Sequence, residues 1–280
     1  MIKKLSNSSK FKILKKISFS IIFNINDIVI IFFALFSNLL NDKLIYKKNI
    51  RIVTGADSSH FKSLMQLCES ISIYQSKSSI TIYDLGLSSE EVKKIYTYKK
   101  NIEIVKFNFS EYPNFVDIKS RNFGSYAWKP MIFEKELTKK NNEFILWMDA
   151  GNIIFKKLTF LKIYLSYKGF YSPHSSDNIY KLTHPDTLDL LNVSKQLYKK
   201  RNLNAAVIGL NPKNSLAIKL MRNWIESSKN KKIIGPKGAS KKNHRFDQAV
   251  LTINFYQSGL ANFFCRTYKL FGINIHQDID

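Results

Sequence analysis

Glu143-Phe144-Ile145-Leu146-Trp147-Met148-Asp149-Ala150-Gly151-Asn152 is the stretch on which the fold turns. Five apolar residues run straight into an aspartate, and small or polar residues follow. A continuous apolar run of that length, bounded by polar residues, predicts a strand buried on both faces. An ionised carboxylate at the end of such a strand is costly unless it is paired, hydrogen-bonded or bound to a metal. In open α/β sheets the carboxyl ends of strands are where ligands bind. Asp149 is therefore a candidate site residue, with a turn aspartate capping the next element as the competing reading.

Upstream of this run, strands and helices alternate. Asn49–Gly55 reads as a strand ending in Gly55-Ala56-Asp57-Ser58-Ser59-His60. Phe61, Leu64, Leu67, Cys68 and Ile71 recur at helical spacing within 59–75. Ser79–Tyr83 is a second strand, ending in Asp84-Leu85-Gly86. Ser88 then caps a helix with Glu90 and Glu91 in its first turn. Ile102–Phe107 is a third strand, and Asn122–Leu137 carries Gly124-Ser125-Tyr126-Ala127-Trp128-Lys129-Pro130 into a helix. Downstream, Gly169–Ser172 reads as a short strand and Thr187–Arg201 as a helix. Asn204–Asn211 is an apolar strand, and a helix follows it to about Ser228. Lys229–Asn243 reads as a mobile loop, and His244-Arg245-Phe246-Asp247-Gln248 opens a last helix. This alternation predicts a mostly parallel sheet with helices on both faces.

The chain has 280 residues, of which 45% are hydrophobic and 14% aromatic, enough for a large folded core. Lys and Arg number 44 against 21 Asp and Glu, a net charge of +23 that suits polyanionic surroundings. The lysines are scattered in short groups and form no dense basic helix, which argues against nucleic acid as a partner. Cys68 and Cys265 form no CxxC pair, which argues against a zinc site or disulfide framework. Cys68 falls in a helical apolar pattern and reads as core.

Residues 1–16 are basic and polar, and 17–40 are mostly apolar around Ile28–Phe36, interrupted by Asn24, Asn26 and Asp27. A single membrane span, an interfacial segment and a buried helix all fit, and membrane association is the favoured reading. The division expected is a basic tail with a membrane-associating segment over 1–48 and one catalytic domain over 49–280.

Five motifs in order resemble the GT-A class of nucleotide-sugar glycosyltransferases, in particular its family-8-like branch and its uncharacterised relatives, over roughly residues 50–256. VTGADSSH ends the first strand, and GSYAWKP follows the third. LWMDAGN stands where that class has its Asp-x-Asp motif. NAAVIGLNP and RFDQAVL stand where it has a strand and an Asp-Gln helix. The resemblance implies an α/β GT-A fold and sugar transfer from a nucleotide-diphosphate donor to a hydroxyl of a glycan or glycolipid. It implies donor contacts from Gly55, Ala56, Asp57, Asp84, Lys129 and Asp149. Asp247 would orient or deprotonate an acceptor hydroxyl, with Gln248 beside it. Trp128 reads as core.

The implied cofactor is Mn²⁺ or Mg²⁺ on Asp149, with Asn152 as a further candidate ligand, and His276 and His244 as candidate metal ligands or phosphate contacts. Gly151 stands in place of the motif's second aspartate and removes one carboxylate. That departure opens the alternative of a non-catalytic sugar- or nucleotide-binding relative. The expected setting is surface-polysaccharide synthesis at the cytoplasmic face of a bacterial inner membrane, with a type II membrane protein of the Golgi as the alternative.

Overall fold

The structure is a computed structural model and describes residues 49–98, 101–139, 143–260, 269 and 271–280. The expectations for 1–48 and for Cys265 lie outside those residues. Among the described residues no helix is long and apolar enough to cross a membrane.

The strands are β1 Ile50–Asp57, β2 Ile80–Gly86, β3 Ile102–Lys106, β4 Phe144–Met148, β5 Ile153–Ile154, β6 Phe170–Tyr171, β7 His174–Asn178, β8 Arg201–Leu203, β9 Val207–Leu210 and β10 Ile273–Asn274. The α-helices that matter below are α1 Phe61–Tyr74, α2 Ser89–Tyr98, α3 Trp128–Thr138, α4 Thr159–Lys168, α5 Ile179–Leu182, α6 Pro185–Leu190, α7 Ser215–Ser228, α8 Lys231–Ile234 and α9 Asp247–Gln257. The main sheet has the order β3-β2-β1-β4-β9-β6. Its first four strands are mutually parallel, and β9 runs antiparallel to both β4 and β6.

The opening run forms β4, and all five of its residues are buried. Alternation splits them between two cores. Phe144, Leu146 and Met148 join Ile50, Ile52 and the α1 residues Leu64, Leu67, Cys68 and Ile71 on one face. Ile145 and Trp147 join Met131, Phe133 and Trp224 on the other. Burial on both faces explains why β4 is apolar throughout. The α2 start is a capping box: Ser88 Oγ accepts from Glu91 N, and Glu91 Oε2 accepts from Ser88 N.

The strand order creates a switch point. From β1 the chain builds outward through β2 and β3, then returns to place β4 on the opposite side of β1. Connections therefore leave the neighbouring carboxyl ends of β1 and β4 in opposite directions, opening a crevice between them. Gly55, Ala56 and Asp57 close β1, and Asp149 follows β4.

Three sequence expectations are corrected. The helix expected over Thr187–Arg201 ends with α6 at Leu190. Asn192 there has φ 49°, Ser194 caps a short 3-10 turn, and Arg201 begins β8. Lys229–Asn243 is no loose loop, because α8 lies within it and Ile233, Ile234 and Ala239 are buried. The helix expected from Asn122 starts at Trp128. Residues 122–126 instead have φ of 56°, 54°, 66°, 51° and 54°, a left-handed turn. Each non-glycine in it costs roughly 1–2 kcal/mol of backbone strain. Glycine is required at 124, where a Cβ would run into the Val116 carbonyl.

Candidate functional site

A cavity of about 410 Å³ occupies the switch-point crevice. Gly55, Ala56 and Asp57 form one wall, and Lys129, Asp149, Asp247 and Gln248 form another. Four segments far apart in sequence thus converge at the carboxyl edge of the sheet.

Lys129 is central. It lies in the first turn of α3, and its side chain is 4% exposed. Nζ sits 2.9 Å from Asp149 Oδ1 and 3.5 Å from Asp247 Oδ2, and it donates to the Ala205 carbonyl at 3.2 Å. Trp147 and Trp128 flank it, with ring centroids at 5.4 Å and 5.9 Å. Burial opposes its charge, but the attraction of Asp149 and then Asp247 outweighs that, so the ammonium is held above the ordinary lysine range. Lys129 is therefore a buried bridging cation rather than a helix-surface lysine.

Asp149 is 40% exposed and is fixed by two contacts to one oxygen. Its Oδ1 also accepts from the Trp147 indole Nε1–H at 2.7 Å. The residue two before the aspartate thus points back from the sheet to orient it, and Oδ2 is left for a ligand.

Asp247 opens α9, where a carboxylate suits the helix dipole. Its side chain is 6% exposed, its partner is Lys129 rather than the neighbouring Arg245, and its Oδ2 has no hydrogen-bond partner. Trp224 Nε1 holds its backbone carbonyl at 3.0 Å. Burial pushes its carboxyl up, Lys129 works against that, and the nearby Asp149 adds to the rise, giving a pKa of about 6.

Asp57 is organised by its own turn, accepting from Ser59 Oγ at 2.6 Å and pairing with His60 Nδ1 at 3.0 Å. Burial opposes ionisation of Asp57, but those two partners prevail and its pKa is lowered.

The remaining expected site residues differ. Asp84 does not line the cavity; its Oδ1 accepts from Gly86 N and Leu87 N and holds the turn after β2. Asn152 is buried, and its amide is spent on backbone: Nδ2 donates to Ala206 O, and Oδ1 accepts from His276 N. That makes it a structural tie rather than a free ligand. His276 lines the cavity with Nε2 3.2 Å from Asn204 Nδ2.

His244 belongs to the core. Its Nδ1 pairs with the His184 N–H at 3.2 Å and its Nε2 with the Ile234 carbonyl at 3.1 Å, an arrangement that needs the neutral ring. Burial pushes its pKa down to about 4. The unfolded chain, with a histidine pKa near 6.5, takes up that proton first. The stability it represents is complete above about pH 6.5 and is lost as pH falls toward 4, on the order of 3 kcal/mol. Denaturant titrations from pH 7 to 4 should show this decline in the native chain and a flatter profile in His244→Gln. Equal slopes would contradict the assignment.

Sequence reasoning missed the rim. Phe123 and Tyr126, on the left-handed turn, line the cavity, and Lys241 Nζ lies 5.4 Å from each ring. It also missed Asp278, which reaches the cavity from the segment after β10. The local signal for Asp278 was an acidic cluster, His276-Gln277-Asp278-Ile279-Asp280, in a strongly basic chain.

The divalent cation implied by the motifs can be tested against these donors. Asp149 Oδ2 and the Asp278 carboxylate are hard oxygen donors on one cavity, which suits Mg²⁺ or Mn²⁺. Among the described residues no three His, Cys, Asp or Glu side chains gather into a complete metal set. A site of two carboxylates completed by substrate phosphates is one of the ordinary ways Mg²⁺ is held.

Sheet order and switch-point cavity are those of the α/β GT-A fold. Comparison with known proteins agrees at the level of fold. Ktr4p, a mannosyltransferase from S. cerevisiae, matches with a TM-score of 0.54 and 10% identity over 76% of this chain and 67% of that one. Core-mannan synthase A from Aspergillus fumigatus, in a Mn/GDP form, matches with a TM-score of 0.51 and 10% identity over 75% and 70%. The bifunctional glycosyltransferase WbbM gives a TM-score of 0.48 and 14% identity over 76% of this chain. This chain spans only 38% of WbbM's length. A family described as "Protein of unknown function (DUF1647)" matches residues 8–134. No curated protein matches the sequence.

Proposed function

We propose that the protein is a glycosyltransferase of the family-8-like kind, moving a hexose from a nucleotide-diphosphate donor to a hydroxyl of a glycan or glycolipid. The observation that carries this reading is the Lys129-bridged pair of Asp149 and Asp247 in the switch-point cavity. It places an oriented carboxylate, a buried carboxylate and a fixed cation around one space.

In this reading the Gly55-Ala56-Asp57 wall receives the nucleoside. Lys241 and Arg245, both lining the cavity, attract the diphosphate. Asp247 accepts a hydrogen bond from a sugar or acceptor hydroxyl, and its pKa of about 6 leaves it mostly ionised at neutral pH. Gln248 Nε2, which has no hydrogen-bond partner among the described residues, serves the same sugar. Phe123 and Tyr126 supply an apolar rim. A divalent cation, when bound, would neutralise charge on the leaving diphosphate. The apolar stretch of 17–40 and the net charge of +23 support a membrane-surface setting in polysaccharide synthesis.

The test is donor binding. Asp149→Asn keeps an acceptor oxygen for the Trp147 indole but removes the charge. It should abolish the thermal stabilisation that a nucleotide sugar gives the native chain, without lowering the unliganded melting temperature by more than a few degrees. Undiminished stabilisation in Asp149→Asn would contradict the assignment.

A further inference from the structure

We propose that Asp278 supplies the second carboxylate of the cation site, in the place left by Gly151. This rests on the donor-binding reading above and goes beyond it. A Cβ built on Gly151 falls on the Asp278 carboxylate, whose three terminal atoms are its nearest neighbours. Gly151 does not have the positive φ that would require glycine. What excludes a side chain at 151 is Asp278 itself.

The backbone that carries the carboxylate is tied into the fold. β10 pairs with β5, immediately after Gly151-Asn152. Gln277 N donates to the Gly151 carbonyl at 2.6 Å, and Ile279 N donates to Ser63 Oγ at 3.0 Å. Asp280 Oδ1 then accepts from Lys62 N and Ser63 N in the first turn of α1. Asp278 is thus fastened on both sides. In the same cavity the buried Asp247 Oδ2 faces Lys129 Nζ at 3.5 Å and makes no hydrogen bond beyond that ion pair, which leaves it short of donors. With two carboxylates and, among the described residues, no group of three His, Cys, Asp or Glu side chains, the shell is completed by the donor's phosphate oxygens and water. Tight cation binding should therefore depend on the nucleotide.

The experiment measures Mn²⁺ binding to the 280-residue chain by electron paramagnetic resonance, alone and with UDP, GDP, CDP or dTDP. Native protein, Asp278→Asn and the double variant Gly151→Asp/Asp278→Gly are compared, with thermal melting as the folding control. In the native chain one of the diphosphates should tighten Mn²⁺ binding. Asp278→Asn should weaken it by about tenfold or more, a loss typical of groups that hold a metal site together. The double variant, which moves the carboxylate back to position 151 and clears the space, should recover most of it. Native-like Mn²⁺ affinity in folded Asp278→Asn overturns the inference. So does diphosphate binding by the native chain that Mn²⁺ leaves unchanged, and both outcomes leave the donor-binding reading standing. Absence of binding by every diphosphate, with or without Mn²⁺, overturns both.

Discussion

Lys129→Ala is expected to destabilise the protein by about 3–5 kcal/mol at neutral pH and to abolish donor binding. The size follows from what the lysine leaves behind. Asp247 is buried, its Oδ2 has no hydrogen bond, and Lys129 is its ion-pair partner. A buried carboxylate without a cation neutralises by taking up a proton, which caps the loss. The deficit should therefore depend on pH. Removing Lys129 raises the folded pKa of Asp247 further above its unfolded value. The penalty is then fully present above that folded pKa and shrinks as pH falls through it. Denaturant unfolding at pH 8 and pH 5 checks this, with Lys129→Met keeping most of the side-chain volume. Lys129→Met as stable as the native chain at pH 8 would show that Asp247 is not held as an ion pair.

The second large effect concerns Asp247. Asp247→Asn should lower kcat/KM for sugar transfer by roughly 10²–10⁴, the range for a general base. It should also remove an acid limb near pH 6 from the rate profile. Stability should move the other way. The native carboxyl has a pKa of about 6, above its ordinary value of 3.8, so the folded state binds the proton more tightly. Its contribution favours folding at low pH and declines as pH rises from about 4 through about 6. Asp247→Asn should therefore be at least as stable as the native chain at pH 8. A variant that lost activity only in proportion to lost folded protein would place Asp247 in the scaffold instead.

The part of this site that follows local rules was legible in the sequence. β4 announced itself as an unbroken apolar run because both of its faces are buried, and the ordered motifs brought Gly55-Ala56-Asp57, Lys129, Asp149, Asp247 and Gln248 to one cavity. The features that were not legible depend on tertiary contacts. Asp84 and Asn152 carry the right chemistry, but local turns and backbone groups claim their polar atoms. Asn122 tolerates the left-handed region, but no propensity rule places Phe123, Ser125 and Tyr126 there; the Trp128 indole donates to the Phe123 carbonyl, and the backbone of residue 116 leaves no room for a Cβ at 124. Gly151 read as a lost ligand. In three dimensions its missing side chain is the space into which Asp278 fits.

Isothermal titration of the chain with UDP- and GDP-sugars in the presence of Mn²⁺ decides whether the switch-point cavity is a donor site. One nucleotide sugar should bind saturably, Asp149→Asn should abolish that binding, and the donor at a hundred times its Kd should stabilise the native chain by about 2.7 kcal/mol. No binding of any nucleotide sugar by the folded native chain would contradict the donor-site reading.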